Sequence, residues 1–326
     1  MMQDEQIPNK AGYPFWVMVR KETGDHIRSW RFIVMLILIV LTFFGALYMA
    51  LKNLDTAISN VNDPNRGFIY LKLLTTSDGT LPTFHIFLGF LGPLLGIALG
   101  FDAINSERNN GTLIRLMAQP VYRDNLLLAK FLGALIVVSA LLLFLILLMI
   151  GAGMLITGVP IEMTEVFRIL GFLVMSILYV GFWLSLSILL SVSFRSAATS
   201  ALTAIGIWLF FAVFYRLIIS VVISSILPSP DVLGQEDLMS YNNLVLTLRR
   251  ISPNQLYTDS VTTLLIPSVR SLGPLTMEQM SGAIPSPLSI RESFMIVWPQ
   301  VTGLVASTVV CFAATYYLFM RREIRS

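Results

Sequence analysis

The sequence predicts an all-α polytopic membrane protein with six transmembrane helices, and two observations carry that prediction. Hydrophobic residues make up 56% of the 326 positions and charged residues only 13%, with a mean hydropathy of +0.77. Six apolar runs, at about 32–51, 83–101, 126–157, 167–192, 197–227 and 294–320, are separated by polar stretches. Each is close to or above the ~20 residues that a helix needs to cross a bilayer. Residues 1–326 therefore read as one transmembrane domain, with a long outer loop at 228–292.

The leader before the first span is polar to amphipathic and shows no signal-peptide pattern, because its first long apolar run begins near Phe32. Pro14 suits the first position of a helix. Phe15, Trp16, Val19, Ile27 and Trp30 form an apolar stripe, and Arg20, Lys21, Arg28 and Arg31 supply positive charge. That pattern predicts an amphipathic helix lying in the headgroup layer; the alternative is a basic leader without fixed structure.

The first span ends in a polar loop rich in turn formers, including Asp63-Pro64 and Asp78-Gly79. The second span carries Gly92, Gly96 and Gly100 at four-residue spacing. This spacing gives a smooth strip for close approach of another helix, either from a second subunit or from within the chain. The third span exceeds the bilayer thickness and is expected to tilt or protrude. Ser193-Phe194-Arg195-Ser196 is a tight connection between the fourth and fifth spans. Arg216, beside Tyr215 near the end of the fifth, is either functional or snorkels to the interface. In the outer loop, Leu244, Leu248 and Ile251 form one helical patch. A second patch starts at Ser252-Pro253 and carries Leu256, Val261, Leu264 and Leu265 up to Pro267.

Positive charge orients the chain. Lys10, Arg20, Lys21, Arg28, Arg31, Arg108, Arg115, Arg123, Lys130, Arg195, Arg321, Arg322 and Arg325 fall in the leader, the 102–130 segment, the 193–196 turn and the tail. The remainder is spread over much longer loops. Both termini are therefore expected in the cytosol, and the sequon Asn110-Gly111-Thr112 is discounted because it lies on that side.

The most informative polar stretch is Asp102 to Lys130, DAINSERNNGTLIRLMAQPVYRDNLLLAK. Asn105 to Asn110 reads as a turn of helix that Gly111 closes by taking positive φ. Thr112 then suits the N-cap of a second short helix. Leu113, Leu116 and Met117 share one face of it, and Pro120 ends it. Two turns are ~10 Å of helix, too short to persist alone. The piece needs a surface to dock on, most naturally another subunit.

Several chemistries are absent. The sequence has no Gly-Lys pair, hence no phosphate-cradling G-x-x-x-x-G-K-[ST] loop, and no H-E-x-x-H or G-x-S-x-G. Cys311 is the sole cysteine, which excludes an internal disulfide, and with only His26 and His85 a structural zinc site is improbable. The methionines are scattered and read as core filler. No basic patch interleaved with aromatics points to nucleic acid. The spans hold no chain of acids or histidines for proton relay.

The 102–130 stretch resembles the hallmark between the second and third spans of type-2 ATP-binding-cassette (ABC) transporter permeases. The matching residues are Glu107-Arg108, Gly111-Thr112-Leu113, Pro120, Arg123 and Lys130. The segment ISPNQLYTDSVTTLLIP before the last span and the leader ending Arg-Ser-Trp-Arg are also similar to that family's. Within the family the chain is similar to the group containing the nitrous-oxide-reductase maturation permease. The resemblance implies a permease subunit, more in line with export than import, without a catalytic or nucleotide site of its own. It implies two separate ABC ATPase subunits that bind ATP and Mg, and a second permease copy, identical or homologous, in the plasma membrane. Residues 112–119 would be the coupling helix, with Glu107, Arg108, Gly111, Thr112, Leu113, Arg115, Leu116, Pro120 and Arg123 serving ATPase coupling. The leader would be the elbow helix, and 241–266 an outer lid. No cofactor is expected on this chain. The rival readings are a stand-alone secondary carrier or intramembrane enzyme, for which Arg216 and His85 are the only candidates, and a force-transmitting scaffold that moves no cargo.

Overall fold

A computed structural model describes residues 13–59, 65, 67–77, 79–112, 123–226, 235–268 and 287–321. Every regular element among them is helical. Helix α1 (Tyr13–Arg28) ends where Ser29 takes an extended backbone, φ −72° and ψ 131°, and its hydroxyl accepts from the Phe32 N–H at 3.3 Å. That cap starts α2 (Trp30–Lys52) in a new direction. Short helices α3 (Leu54–Ser59) and α4 (Ile69–Thr75) lead to α5 (Phe84–Gly100), α6 (Asn105–Asn109) and the 35-residue α7 (Arg123–Thr157). Next come α8 (Met163–Ser193) and α9 (Ala197–Leu209). A π-helical turn (Phe210–Phe214) joins α9 to α10 (Tyr215–Ile226). Helices α11 (Gln235–Arg249), α12 (Pro253–Leu265) and α13 (Ile290–Arg321) complete the described chain. Six of these units are long and apolar enough to cross a membrane: α2, α5, α7, α8, the α9–α10 pair and α13.

Helix α8 is the hub. In its most apolar 18-residue window 67% of residues are buried, against 6% for the α9–α10 pair. Trp183, Tyr179 and Phe172 lie fully inside. Helix α5 runs along it on the glycine strip. A Cβ on Gly96 would stand 2.8 Å from the Val180 carbonyl oxygen and 2.9 Å from the Leu184 nitrogen, and one on Gly100 2.9 Å from Ser187 Cβ. Gly92 faces Val180 Cγ2 at 3.2 Å from the same construction. The strip is thus filled within the chain, which decides between the two uses that its spacing allowed. The Ser187 hydroxyl donates to the Ile97 carbonyl (3.2 Å) and the Tyr179 hydroxyl to that of Gly89 (2.9 Å), adding polar bonds to the same seam.

At the end of the bundle away from the termini, α8 begins earlier than its apolar run suggests. Glu162 and Glu165 form a capping box that extends the helix back to Met163. Glu165 is thereby buried, and its carboxylate accepts the Tyr70 N–H at 2.8 Å. One turn on, Arg168 is 1% exposed. Its guanidinium donates to the carbonyls of Leu264 (3.1 Å) and Leu288 (2.6 Å) and to the Ser293 hydroxyl (3.0 Å). One side chain therefore ties α12 and the start of α13 to α8. Hydropathy placed neither residue inside, because both sit at the margin of an apolar run. Ser252 occupies the N-cap position of α12 with Pro253 at N1, but its side chain makes no capping bond there. Ile251 falls in the turn before it, outside α11.

The glycine seam is directly testable. Gly96→Val forces a side chain against backbone and is expected to cost ~1–3 kcal/mol by overpacking, read as a lower melting temperature in detergent. Gly206→Ala, inside α9 with nothing within 4 Å of the added carbon, is expected instead to stabilise by about 0.5–1 kcal/mol.

Candidate functional site

The end of the bundle that carries the termini holds a buried ionic cluster. Lys130, about two turns into α7, reaches Glu22 of α1 at 2.9 Å and Glu107 of α6 at 2.7 Å. Lys21 closes on Glu22 at 3.1 Å and on Asp25 at 3.3 Å. Glu22 and Lys130 are each only 6% exposed. Three elements distant in sequence thus share one cation. Helix α1 comes close enough because Gly133 faces it: a Cβ there would lie 3.0 Å from Glu22 Cβ and 3.2 Å from the Thr23 nitrogen.

A second set of contacts supports α6 from the other side. Arg31 of α2 pairs with Asp102, and its guanidinium lies 4.6 Å from the centre of the Phe101 ring. The N–H groups of Ile104 (3.0 Å) and Asn105 (3.3 Å) donate to the Ser191 hydroxyl of α8. Asn109 Nδ2 donates to the Arg195 carbonyl at 3.3 Å, so the turn after α8 touches the end of α6. Gly111 takes φ +68°, the left-handed conformation expected of it, and the Thr112 hydroxyl turns back to the Glu107 carbonyl at 3.1 Å. Leu113, Arg115, Leu116 and Pro120 lie outside the described residues, as does the side chain of Arg123, which opens α7.

The residues singled out in the sequence divide by orientation. Arg108, Asn109 and Thr112 are exposed, whereas Glu107 faces inward. Its Oε1 binds Lys130, and its Oε2 is buried without a hydrogen-bond partner among the described residues. Glu107 therefore supports the turn, and Arg108 is the one of the pair that is open to an outside surface. Sequence reasoning missed Glu22. Its only signal was an acid within a basic amphipathic helix, with nothing to say that it would meet a lysine 108 positions away. Gly92, Gly96 and Gly100 belong to the α5–α8 seam that carries α6 at its end. Among the described residues no group of three or more His, Cys, Asp or Glu could hold a metal.

Electrostatics fit this geometry. Burial works against ionisation of Glu22, but Lys130 and Lys21 outweigh it and hold the carboxyl below its ordinary range. His26, four residues on, is pushed down chiefly by burial and secondarily by Lys130, against the pull of Glu22 and Asp102.

A family model described as "ABC-2 family transporter protein" matches residues 16–324. This chain belongs to that family. Two curated relatives support the assignment. The ABC-2 permease is 29% identical over 207 residues to the "Probable ABC transporter permease protein NosY" of Stutzerimonas stutzeri, covering 63% of this chain and 68% of the relative. It is 29% identical over 211 residues to the protein of the same name from Pseudomonas aeruginosa strain PAO1, covering 62% and 68%. The protein is thus a multi-pass permease subunit of an ABC transporter, and its family implies an ATPase partner.

Two outcomes follow from the cluster. Removing Lys130 leaves Glu107 without its cation and Glu22 with only the exposed Lys21, so Lys130→Met is expected to cost ~3–5 kcal/mol, read as a lower melting temperature and faster proteolysis of α1. Acid should also loosen α1, and both shifted groups act in the same direction. Each has a folded-state pKa below its unfolded one, so each contributes stability that is complete above the unfolded pKa and lost as pH falls. The His26 contribution is complete above about pH 6.5 and that of Glu22 above about pH 4.3. Melting temperature should therefore fall in two stages on acidification, and His26→Gln should flatten the upper stage.

Proposed function

We propose that this permease couples ATP hydrolysis by separate ABC ATPase subunits to translocation of a substrate, in the direction of export. In this reading the face that carries the termini is cytosolic and the membrane is the plasma membrane. The excess of Lys and Arg on that face supports it. Two ATPase subunits, which bind the ATP and Mg, would sit below two permease copies. The segment after Thr112 is the coupling helix, with Leu113, Leu116 and Arg115 docking into an ATPase groove. Arg108 and the Arg195 turn supply further contacts, and α1 is the elbow helix along the membrane surface.

The observation that carries the reading is the three-way junction at Lys130. A short docked helix transmits force only if its base is stiff. Here the base, α6, is held by an ion pair to α7, by two N–H bonds to Ser191 of α8, and by the pair between Arg31 and Asp102. Movement imposed at Thr112 therefore passes to α1, α2, α7 and α8 together. The other end of α8 carries Arg168, which grips α12 and α13. A rigid α8 would relay that movement to the outer helices, which act as the lid.

Coupling gives the test. Gly111→Val strains a position at φ +68°, and Glu107→Ala removes the ion pair with Lys130. Both variants are expected to reach the membrane and to lose most of the ATPase activity that the assembled complex has over the isolated ATPase. Arg108→Ala is expected to weaken ATPase co-purification while leaving the permease melting temperature unchanged. Full ATPase activity of the complex in both Gly111→Val and Glu107→Ala would overturn the assignment.

A further inference from the structure

A cavity of about 380 Å³ opens between α5, the α9–α10 pair and the α11–α12 corner, at the end of the bundle opposite the ionic cluster. That volume lies in the ~300–1,000 Å³ range of small-molecule sites. Its walls are mixed in a specific way. Phe90, Trp208, Phe211 and Tyr215 contribute aromatic surface to the lining, and Arg216 and Arg249 contribute cationic groups. Trp208 stacks edge-on against Phe90 at 4.8 Å. The hydroxyl of Tyr215 donates to the Leu248 carbonyl at 2.6 Å, which holds the mouth of the cavity to α11. Tyr257, which lines the cavity, stacks on Tyr179 at 4.3 Å, and the Tyr179 hydroxyl bonds Asn254, another lining residue, at 2.7 Å. These contacts join α10 to α11, α9 to α5 and α8 to α12 around the cavity.

Three side chains lack partners among the described residues. Neither Arg216 nor Arg249 has a side-chain hydrogen bond or ion pair among the described residues, and the nearby carboxylate of Asp259 is taken by Arg250 and Gln255. Trp208 is 6% exposed, yet its indole N–H donates to nothing. A buried donor left without a partner is a standing cost that an acceptor in the cavity would recover. Finally, the helix passes through a π-turn at Phe210–Phe214, the stretch that sends Phe211 and Ala212 to the wall. Such turns are costly and recur at ligand sites.

We infer that this cavity binds an amphipathic anion, with a carboxylate or phosphate head between Arg216 and Arg249 and an apolar body among the aromatic rings. An oxygen along that body accepts the Trp208 N–H. Eight residues, ~12 Å of helix, separate Trp208 from Arg216, so head and body are read at different depths. Two paired arginines suit an oxyanion head. A purely apolar occupant would leave all three groups unanswered. The inference concerns the permease alone and does not rest on ATPase coupling.

The test uses the full-length permease in phosphatidylcholine nanodiscs without any ATPase, so failure of coupling and failure of binding are read separately. Tryptophan fluorescence and native mass spectrometry are followed during titration with oleate, with phosphatidylglycerol, and with neutral monoolein. Saturable binding of oleate assigns a free amphiphile, and saturable binding of phosphatidylglycerol that oleate does not displace assigns a lipid head; either supports the inference. Arg216→Gln with Arg249→Gln is expected to weaken that binding by about tenfold or more; Trp208→Phe is expected to weaken phosphatidylglycerol, whose ester oxygens can accept the N–H, by about two- to tenfold and to leave oleate, which has no oxygen along its chain, unchanged. Monoolein bound as tightly as either anion by the unaltered protein would overturn the inference without recourse to any variant. So would saturable binding to neither anion, or unchanged affinity in the double variant with unaltered helicity.

Discussion

Everything at the terminal end of this bundle depends on Lys130. A lysine ammonium is costly to bury, and here two carboxylates converge on it to offset that cost. Those carboxylates come from α1 and α6, which no apolar surface joins as tightly. The ion pairs therefore specify geometry more than they add stability. They set the angle at which the leader helix crosses α7 and the position from which the segment after Gly111 departs. The close approach at Gly133 makes the arrangement possible, since any larger residue would push α1 away and separate Glu22 from Lys130.

The two ends of α8 serve different purposes. At one end Ser191 offers its hydroxyl to two backbone N–H groups of the α6 turn. At the other, Arg168 grips carbonyls from two segments that enter the bundle late in the chain. Between them, the glycine seam locks α5 to α8 over its length. The result is a stiff central pair, α5 and α8, with the α9–α10 pair packed loosely outside it and 6% buried in its apolar window. The loosely packed pair carries the π-turn and one wall of the cavity, so the part of the bundle freest to adjust is the part that meets a ligand.

Much of this architecture was legible in the sequence. Six apolar runs and their lengths announce six helices, since a bilayer admits little else. The glycine spacing announced a close helix contact, and Gly111 announced a left-handed turn. What could not be read were the pairings. Nothing local tells Glu22 that it will meet Lys130, and Glu107 looked available for an outside partner although its side chain turns inward. Arg168 was overlooked for a related reason. At the edge of an apolar run a charge is expected to snorkel, whereas here carbonyls of distant segments solvate it inside the fold. The cavity was similarly invisible, because its walls come from four helices and its orphaned indole N–H is a property of packing.

The central claim is that α1, α6 and α7 move as one body through Lys130. Spin labels at Arg20→Cys and Asn110→Cys, both exposed positions, in a Cys311→Ala background report the distance between α1 and the end of α6 by pulsed electron resonance. The account predicts the same narrow distance distribution in the complex with and without bound ATP, and a broadened one when Lys130→Met is added. A distance that shifts or broadens on ATP binding in the otherwise unaltered protein would contradict it.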